Sequence, residues 1–313
     1  RLWCRSAEVA YAVNATRRNP RHLTGYELPG NVIATSDAAA ALCAVGAVVL
    51  ALPSTHLRDV CRALAPHVAP DVPVLVLTKG MEPGTHQLML DVAAAELGHA
   101  ERMAVLSGPN HAEEICLGQV SAAVLACGSP EVGERLRDLV ATPSFRVYAS
   151  DDVTGVEVCG AMKNVVAIAC GIAAGLGAGD NTQAVLMTRG IAEIGRVSDA
   201  LGGSPLTPMG LAGMGDLVAT CTSEHSRNRT FGEAFVAGEG LAAYEARTGM
   251  VVEGAHAAQS FWELAREHGI EAPLSCAVHD VLDLASASAS LLGRLPREEF
   301  YGLSRTTESK GII

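Results

Sequence analysis

One lysine stands alone in "GAMKNVVAIACGIAAG", residues 160–175: from Val158 to Gly179, Lys163 is the only charged side chain. On a helix its neighbours three and four residues away are Cys159, Gly160, Val166 and Ala167, none of them acidic. Glu157, six residues back, falls on another face. An ammonium group without a partner on such a wall must reach water, bind its proton less tightly, or face a polar site between domains. A lysine with a depressed pKa can accept a proton at neutral pH. The plain alternative is a buried stem with its head in solvent.

Other stretches offer companions. Lys79 closes the apolar run "PVLVLTKG", and ligands of open α/β sheets bind at the carboxyl ends of strands. A solvated lysine at a strand terminus is the competing reading. "SGPNHAEE" follows "MAVLS". There Asn110 reads as a helix N-cap with Glu113 as its partner three residues on. Alternatively, Asn110 and the amides of the new helix hold a polar substrate. "GMGDLVATCTSEHSRNRTFG" contains Asp216, Ser226, Arg227, Asn228 and Arg229. An arginine fork beside an amide suits a phosphate dianion, although a solvated basic turn has the same composition. "GMVVEGAHA" places Glu253 before a helix, where charge placement in the first turn is reason enough for an acid.

These residues need elements to carry them. "NVIAT", "AVVLALP", "PVLVLTK", "MAVLS", "SAAVLAC" and "FRVYAS" read as strands of a sheet covered on both faces. Helical segments such as "STHLRDVCRALAPHV" and "HQLMLDVAAAELG" lie between them. This alternation predicts βαβ units and an α/β, Rossmann-like, doubly wound parallel sheet. After about Ser150 no strand is expected, and helices are predicted over 153–175, 182–201, 228–239 and 255–268. The expected organisation is a dinucleotide-binding domain over 1–150, an all-α substrate domain over 151–303 and a loose tail over 304–313. "RLWC" reads as the end of a strand, followed by a helix. The strand and G-x-G-x-x-G turn that open a dinucleotide domain are absent from this sequence, so the first, central strand is expected to be missing from the sheet. Two glycine runs, "GLGAG" and "GLAGMG", follow helical rather than strand patterns and are decoys.

Bulk composition narrows the function. The chain has 313 residues and a net charge of −11, with 34 acidic and 23 basic side chains, which argues against a nucleic-acid or anionic-membrane partner. Nine cysteines without C-x-x-C spacing read as small core residues of a reducing, cytoplasmic protein and not as a metal site. The uncharged run 164–179 is short for a membrane span.

Taken together, "LW" (2–3), "TKG" (78–80), "SGPN" (107–110), "FRVY" (145–148), "KNV" (163–165), "GDL" (215–217), "SRNR" (226–229) and "VVEG" (251–254) resemble, in order and spacing, bacterial-type NAD(P)-dependent glycerol-3-phosphate dehydrogenases. The resemblance implies an oxidoreductase that interconverts dihydroxyacetone phosphate and sn-glycerol 3-phosphate and supplies the latter for phospholipid synthesis. It implies Lys163 as the proton acceptor in alcohol oxidation. It implies substrate contacts at Lys79, Gly108, Asn110, Asp216, Ser226, Arg227 and Asn228. Cofactor contacts are implied at Lys79, Ala112, Arg227, Val251 and Glu253. After the "LW" strand comes "CRS", with no acid for a ribose hydroxyl; Arg5 could instead meet a 2′-phosphate, which favours NADP over NAD. A phosphorylated small molecule is the expected partner, and a homodimer is compatible with the resemblance. Two other readings compete: a truncated, non-catalytic product, and a related ketopantoate or hydroxyacid reductase, against which "SRNR" argues.

Overall fold

The computed structural model describes residues 1–287. The expected tail over 304–313 and the end of the helical half, 288–303, lie outside the described residues. In chain order the elements begin with β1 (Leu2–Trp3), α1 (Ala7–Thr16), β2 (Ala34–Thr35), α2 (Ala38–Leu42), β3 (Val48–Leu50), α3 (Leu57–Leu64) and β4 (Val74–Val76). They continue with α4 (Met89–Leu97), β5 (Met103–Ser107), α5 (Ala112–Cys116), β6 (Ser121–Cys127), α6 (Pro130–Val140) and β7 (Phe145–Ser150). The helical half holds α7 (Val153–Gly175), α8 (Asp180–Ala200), α9 (Asp216–Thr222), α10 (Arg227–Val236), α11 (Leu241–Thr248), α12 (Glu253–His268) and α13 (Pro273–Ala287).

The sheet comes in two pieces. β1 and β2 pair in parallel, and β3 to β7 form a separate five-stranded sheet in sequence order. β3, β4 and β5 run parallel. The junction of β5 with β6 is antiparallel, so the sheet is mixed where the apolar runs alone implied a parallel one. The reason lies in the connection 108–120, whose only helix is the five-residue α5. It folds back beside β5 instead of crossing over, and parallel neighbours need a longer crossover.

Side-chain caps explain several helix starts. Ser6, Asp37, Ser129 and Asp152 cap α1, α2, α6 and α7 through side-chain oxygens that accept backbone N–H bonds. Asp152 also accepts from the Ser204 amide at 3.1 Å and from the Thr207 hydroxyl, tying the start of α7 to the loop after α8.

α7 is the axis of the molecule. It is long and apolar enough to cross a membrane, yet 89% of its most apolar window is buried inside the protein. It packs against α8, α9, α10, α12, α13 and β5. The largest apolar cluster runs without a break from Val48 and Leu57 through α7 to Phe261 and Val278, so the two halves share one core. The opposite face of the five-stranded sheet is closed by α6 through Leu75, Leu125 and Leu136. α7 and α10 meet at glycines: a Cβ on Gly171 would lie 2.0 Å from the Arg229 carbonyl oxygen, and one on Gly232 would lie 2.4 Å from that of Ile168. This close crossing sets the amino end of α10 against the middle of α7.

Candidate active site

Lys163 is 6% exposed and Asp216 is 1% exposed. The Lys163 Nζ donates to Asp216 Oδ1 at 2.5 Å and to Thr220 Oγ1 at 2.8 Å. The sequence read this ammonium as unpaired. The structure corrects that, because its partner comes from α9, 53 residues away. "GLAGMG" makes the pairing: Leu211–Gly215 winds a π-helical turn that leads into α9 and presents Asp216 at its first position. Thr220, one turn later, shares that face and donates to the Asp216 carbonyl oxygen at 2.6 Å.

The other Asp216 oxygen holds a second lysine. Lys79 Nζ donates to Asp216 Oδ2 at 2.8 Å, to Asn110 Oδ1 at 3.2 Å and to the Gly108 carbonyl oxygen at 3.4 Å. Ser107 Oγ donates to the same Asp216 Oδ2 at 3.3 Å. Gly108 has φ +155°, and a Cβ there would lie 2.7 Å from Ala123 Cα. Only glycine lets the chain turn this tightly between β5 and β6.

Charge and burial set the proton affinities. Burial is the strongest influence on Lys163 and weakens its hold on the proton; Asp216 pulls the other way and the Lys79 charge opposes it, leaving the pKa at about 8. Burial works to raise the Asp216 carboxyl group, but the two ammonium groups outweigh it and hold it below the ordinary carboxylate range. Lys163 is therefore mostly an acid at pH 7 and mostly a base above pH 8.

A second group of polar residues stands beside this cluster. Asn228 Nδ2 donates to Asn164 Oδ1 at 2.9 Å, and its Oδ1 accepts from the Gly254 amide at 2.9 Å. Asn228 thus joins α7, α10 and α12 next to Lys163. Glu253 accepts from the Ser54 amide at 2.9 Å and from the Ser54 hydroxyl, a contact between the two halves. Burial raises the Glu253 carboxyl group, and the charge of Arg227 is close enough to oppose that. Arg227 is exposed at the start of α10 and has no ion-pair partner among the described residues.

The sequence candidates therefore separate. Lys163, Lys79, Asp216, Asn110 and Gly108 meet in one cluster. Asn228, Arg227 and Glu253 stand beside it. Ser226 is buried and caps α10, accepting from the Arg229 amide at 3.3 Å. Arg229 pairs with Glu233 at 2.8 Å along its own helix, so the expected fork reduces to Arg227. Asn110 is not a helix cap: α5 begins at Ala112 behind His111 and has no side-chain cap. Ala112 and Arg5 are exposed, and Val251 is half-buried. Among the described residues no hydrogen bond links the Arg5 side chain to the cluster. Sequence reasoning missed Thr220, Ser107, Asn164 and Ser54. Thr220 carried a signal, lying four residues after Asp216 on one helical face.

A family model described as the N-terminus of NAD-dependent glycerol-3-phosphate dehydrogenase matches residues 1–132, and one for its C-terminus matches residues 152–292. The glycerol-3-phosphate dehydrogenase [NAD(P)+] of Streptomyces griseus is 45% identical over 95% of this chain and 90% of its own length. The chain belongs to the NAD(P)-dependent glycerol-3-phosphate dehydrogenase family. The namesake enzyme of Geobacillus kaustophilus is 41% identical over 97% of the chain and 90% of its own length. The crystal structure of glycerol-3-phosphate dehydrogenase from Coxiella burnetii superposes with a TM-score of 0.87 at 35% identity, covering 96% of this chain and 89% of that one. A ketopantoate reductase from Ralstonia eutropha reaches a TM-score of 0.58 at 18% identity and shares the fold alone.

The residues present fit the family's dinucleotide. The carboxyl ends of β3, β4 and β5 lead into Ser54, Lys79 and Gly108, the edge where such sheets bind nucleotides. Arg5, just after β1, is exposed.

Proposed function

We propose that this chain interconverts dihydroxyacetone phosphate and sn-glycerol 3-phosphate, with Lys163 moving the proton and Arg227 holding the phosphate. The observation that carries the reading is the buried Lys163–Asp216–Lys79 bridge, which sets an acid with a pKa of about 8 at the junction of the two halves. In ketone reduction negative charge develops on the carbonyl oxygen, and a fixed ammonium there lowers the barrier. Lys163 donates to that oxygen and gives it the proton. In the reverse direction neutral Lys163 removes the hydroxyl proton. Bound NAD(P) would supply or take the hydride, held by Arg5, Ala112, Val251, Glu253, Lys79 and Arg227. Asp216 keeps both lysines in place. Gly108, Asn110, Ser226 and Asn228 complete the substrate's surroundings. Binding energy from the remote phosphate orients the reacting carbon.

Arg227, without an ion-pair partner among the described residues, supports a phosphorylated substrate over the unphosphorylated ones of ketopantoate-type reductases. The nine cysteines are all free, which supports a reducing cytoplasmic setting, and we assign the product to phospholipid synthesis there. The test is NADPH oxidation dependent on dihydroxyacetone phosphate, with Lys163→Ala as the control. Turnover by the parent and at least a thousandfold loss in the variant are expected, on the order of the contribution of one essential acid–base group. Near-parental turnover by a folded Lys163→Ala would overturn the assignment.

A further inference from the structure

Glu157 is a buried carboxyl group beside the site that the reaction above leaves unused. It lies on α7, six residues before Lys163. Its Oε1 accepts the Leu90 amide at 2.8 Å, at the start of α4. α4 has no side-chain cap of its own, so Glu157 supplies one from the other half of the chain. Next to Glu157 is a cavity of about 10 Å³ whose wall includes Thr78, Lys79, Ser107, Glu157 and Gly160. That is room for one water with polar partners around it. Gly160 keeps the space open: a Cβ there would lie 3.0 Å from Ser107 Oγ and 3.4 Å from Lys79 Cγ.

We infer that this cavity holds a single water linking the Glu157 carboxyl group to the Ser107 hydroxyl, and through it to Asp216, which makes Glu157 a positioning residue for the Lys163 ammonium. The inference rests on the reading of Lys163 as the proton donor. Hydrogen-bond direction supports the route. The Lys79 ammonium already has three acceptors in Gly108, Asn110 and Asp216. Ser107 gives its one hydrogen to Asp216 and keeps lone pairs free to accept. A protonated Glu157 donates to the water, the water donates to Ser107, and Ser107 donates to Asp216.

The charges around Glu157 fix when this order reverses. Burial pushes its carboxyl group up to about 8, Asp91 on α4 adds to that, and the Leu90 and Met89 amides oppose it. Lys79 lies across the cavity, with Asp216 and Lys163 beyond Ser107. When Glu157 releases its proton to solvent, the water turns its hydrogens to the carboxylate and accepts from Ser107. Asp216 then loses one hydrogen bond and holds the Lys163 proton more tightly.

Glu157→Gln keeps an acceptor for Leu90 and donates to the water at every pH. In the protein without substrate, infrared difference spectra should lose one protonated-carboxyl band at neutral pH on this substitution. Native Glu157 keeps a proton that the unfolded chain gives up near the ordinary glutamate value. Stability therefore falls as pH rises from that value through about 8, and Glu157→Gln should flatten this fall. In turnover, the alkaline limb of kcat for ketone reduction should move down by roughly 0.5–1 pH unit, the worth of one hydrogen bond. In a Ser107→Ala background the same substitution should move it much less. Ser107→Ala alone should move the limb up, so the link stays testable if the glutamine variant folds poorly. No lost band, an unmoved limb, or an equal shift with and without Ser107 overturns the inference. The infrared and stability measurements need no reaction, so they fail separately from the assignment of Lys163.

Discussion

Asp216→Asn is the most telling perturbation of the site. The carboxylate lies 2.5 Å from Lys163 Nζ and 2.8 Å from Lys79 Nζ, with side-chain exposures of 2% for Asp216, 8% for Lys163 and 19% for Lys79. At an effective dielectric of about 20, one such contact is worth roughly 6 kcal/mol of bare attraction. Removing one member of a buried pair costs about 3–5 kcal/mol in practice, because the remaining charge is left uncompensated. Asparagine cannot balance either ammonium group, and two like charges then share one dry site. At about 1.4 kcal/mol per pH unit, the Lys163 pKa should drop by roughly two to three and a half units from its starting value near 8. At pH 7 about nine-tenths of the parent protein carries the Lys163 proton, whereas no more than about one-tenth of the variant should. The assay is kcat for dihydroxyacetone phosphate reduction from pH 5 to 10, with circular dichroism to confirm the fold. The alkaline limb should slide to lower pH, and activity should return in acid. A limb that stays near pH 8, or a loss independent of pH, would refute the reasoning.

Further expectations concern other parts of the structure. Alcohol oxidation should rise with pH through about 8, as neutral Lys163 becomes available; a flat profile under conditions where chemistry limits the rate would remove its role as base. Arg227→Ala should raise KM for dihydroxyacetone phosphate by roughly 30-fold or more, the worth of about 2 kcal/mol for a charged hydrogen bond, and weaken unphosphorylated dihydroxyacetone much less. Equal losses for both would exclude a phosphate contact. Gly171→Ala forces a methyl group to within 2.0 Å of the Arg229 carbonyl oxygen and should destabilise the fold by about 1–3 kcal/mol in urea titration. No change there would mean that α7 and α10 can separate freely.

The sequence showed some parts of this molecule more clearly than others. β5, β6 and β7 lie on the residues of "MAVLS", "SAAVLAC" and "FRVYAS". "GAMKNVVAIACGIAAG" forms the body of α7, because an apolar run of this length without a proline has few other solutions. The antiparallel turn of β6 was hidden, since buried strands look alike in either direction. The short helix α9 was hidden too, because a π-helical turn over glycines carries no period. In the site, Lys163, Lys79 and Asp216 were each visible as residues, but their joint bridge was not. It depends on three segments that only the folded chain brings together. Glu157 was assigned to a different face of α7 from Lys163, and nothing in its spacing revealed the α4 amides it meets.

The most direct test of the account is an NMR titration of the Lys163 side chain, using isotope-labelled lysine and Lys163→Arg to assign the signal. The account predicts a midpoint near pH 8, set by burial against the pull of Asp216. A midpoint at 10.5, the ordinary lysine value, would contradict it.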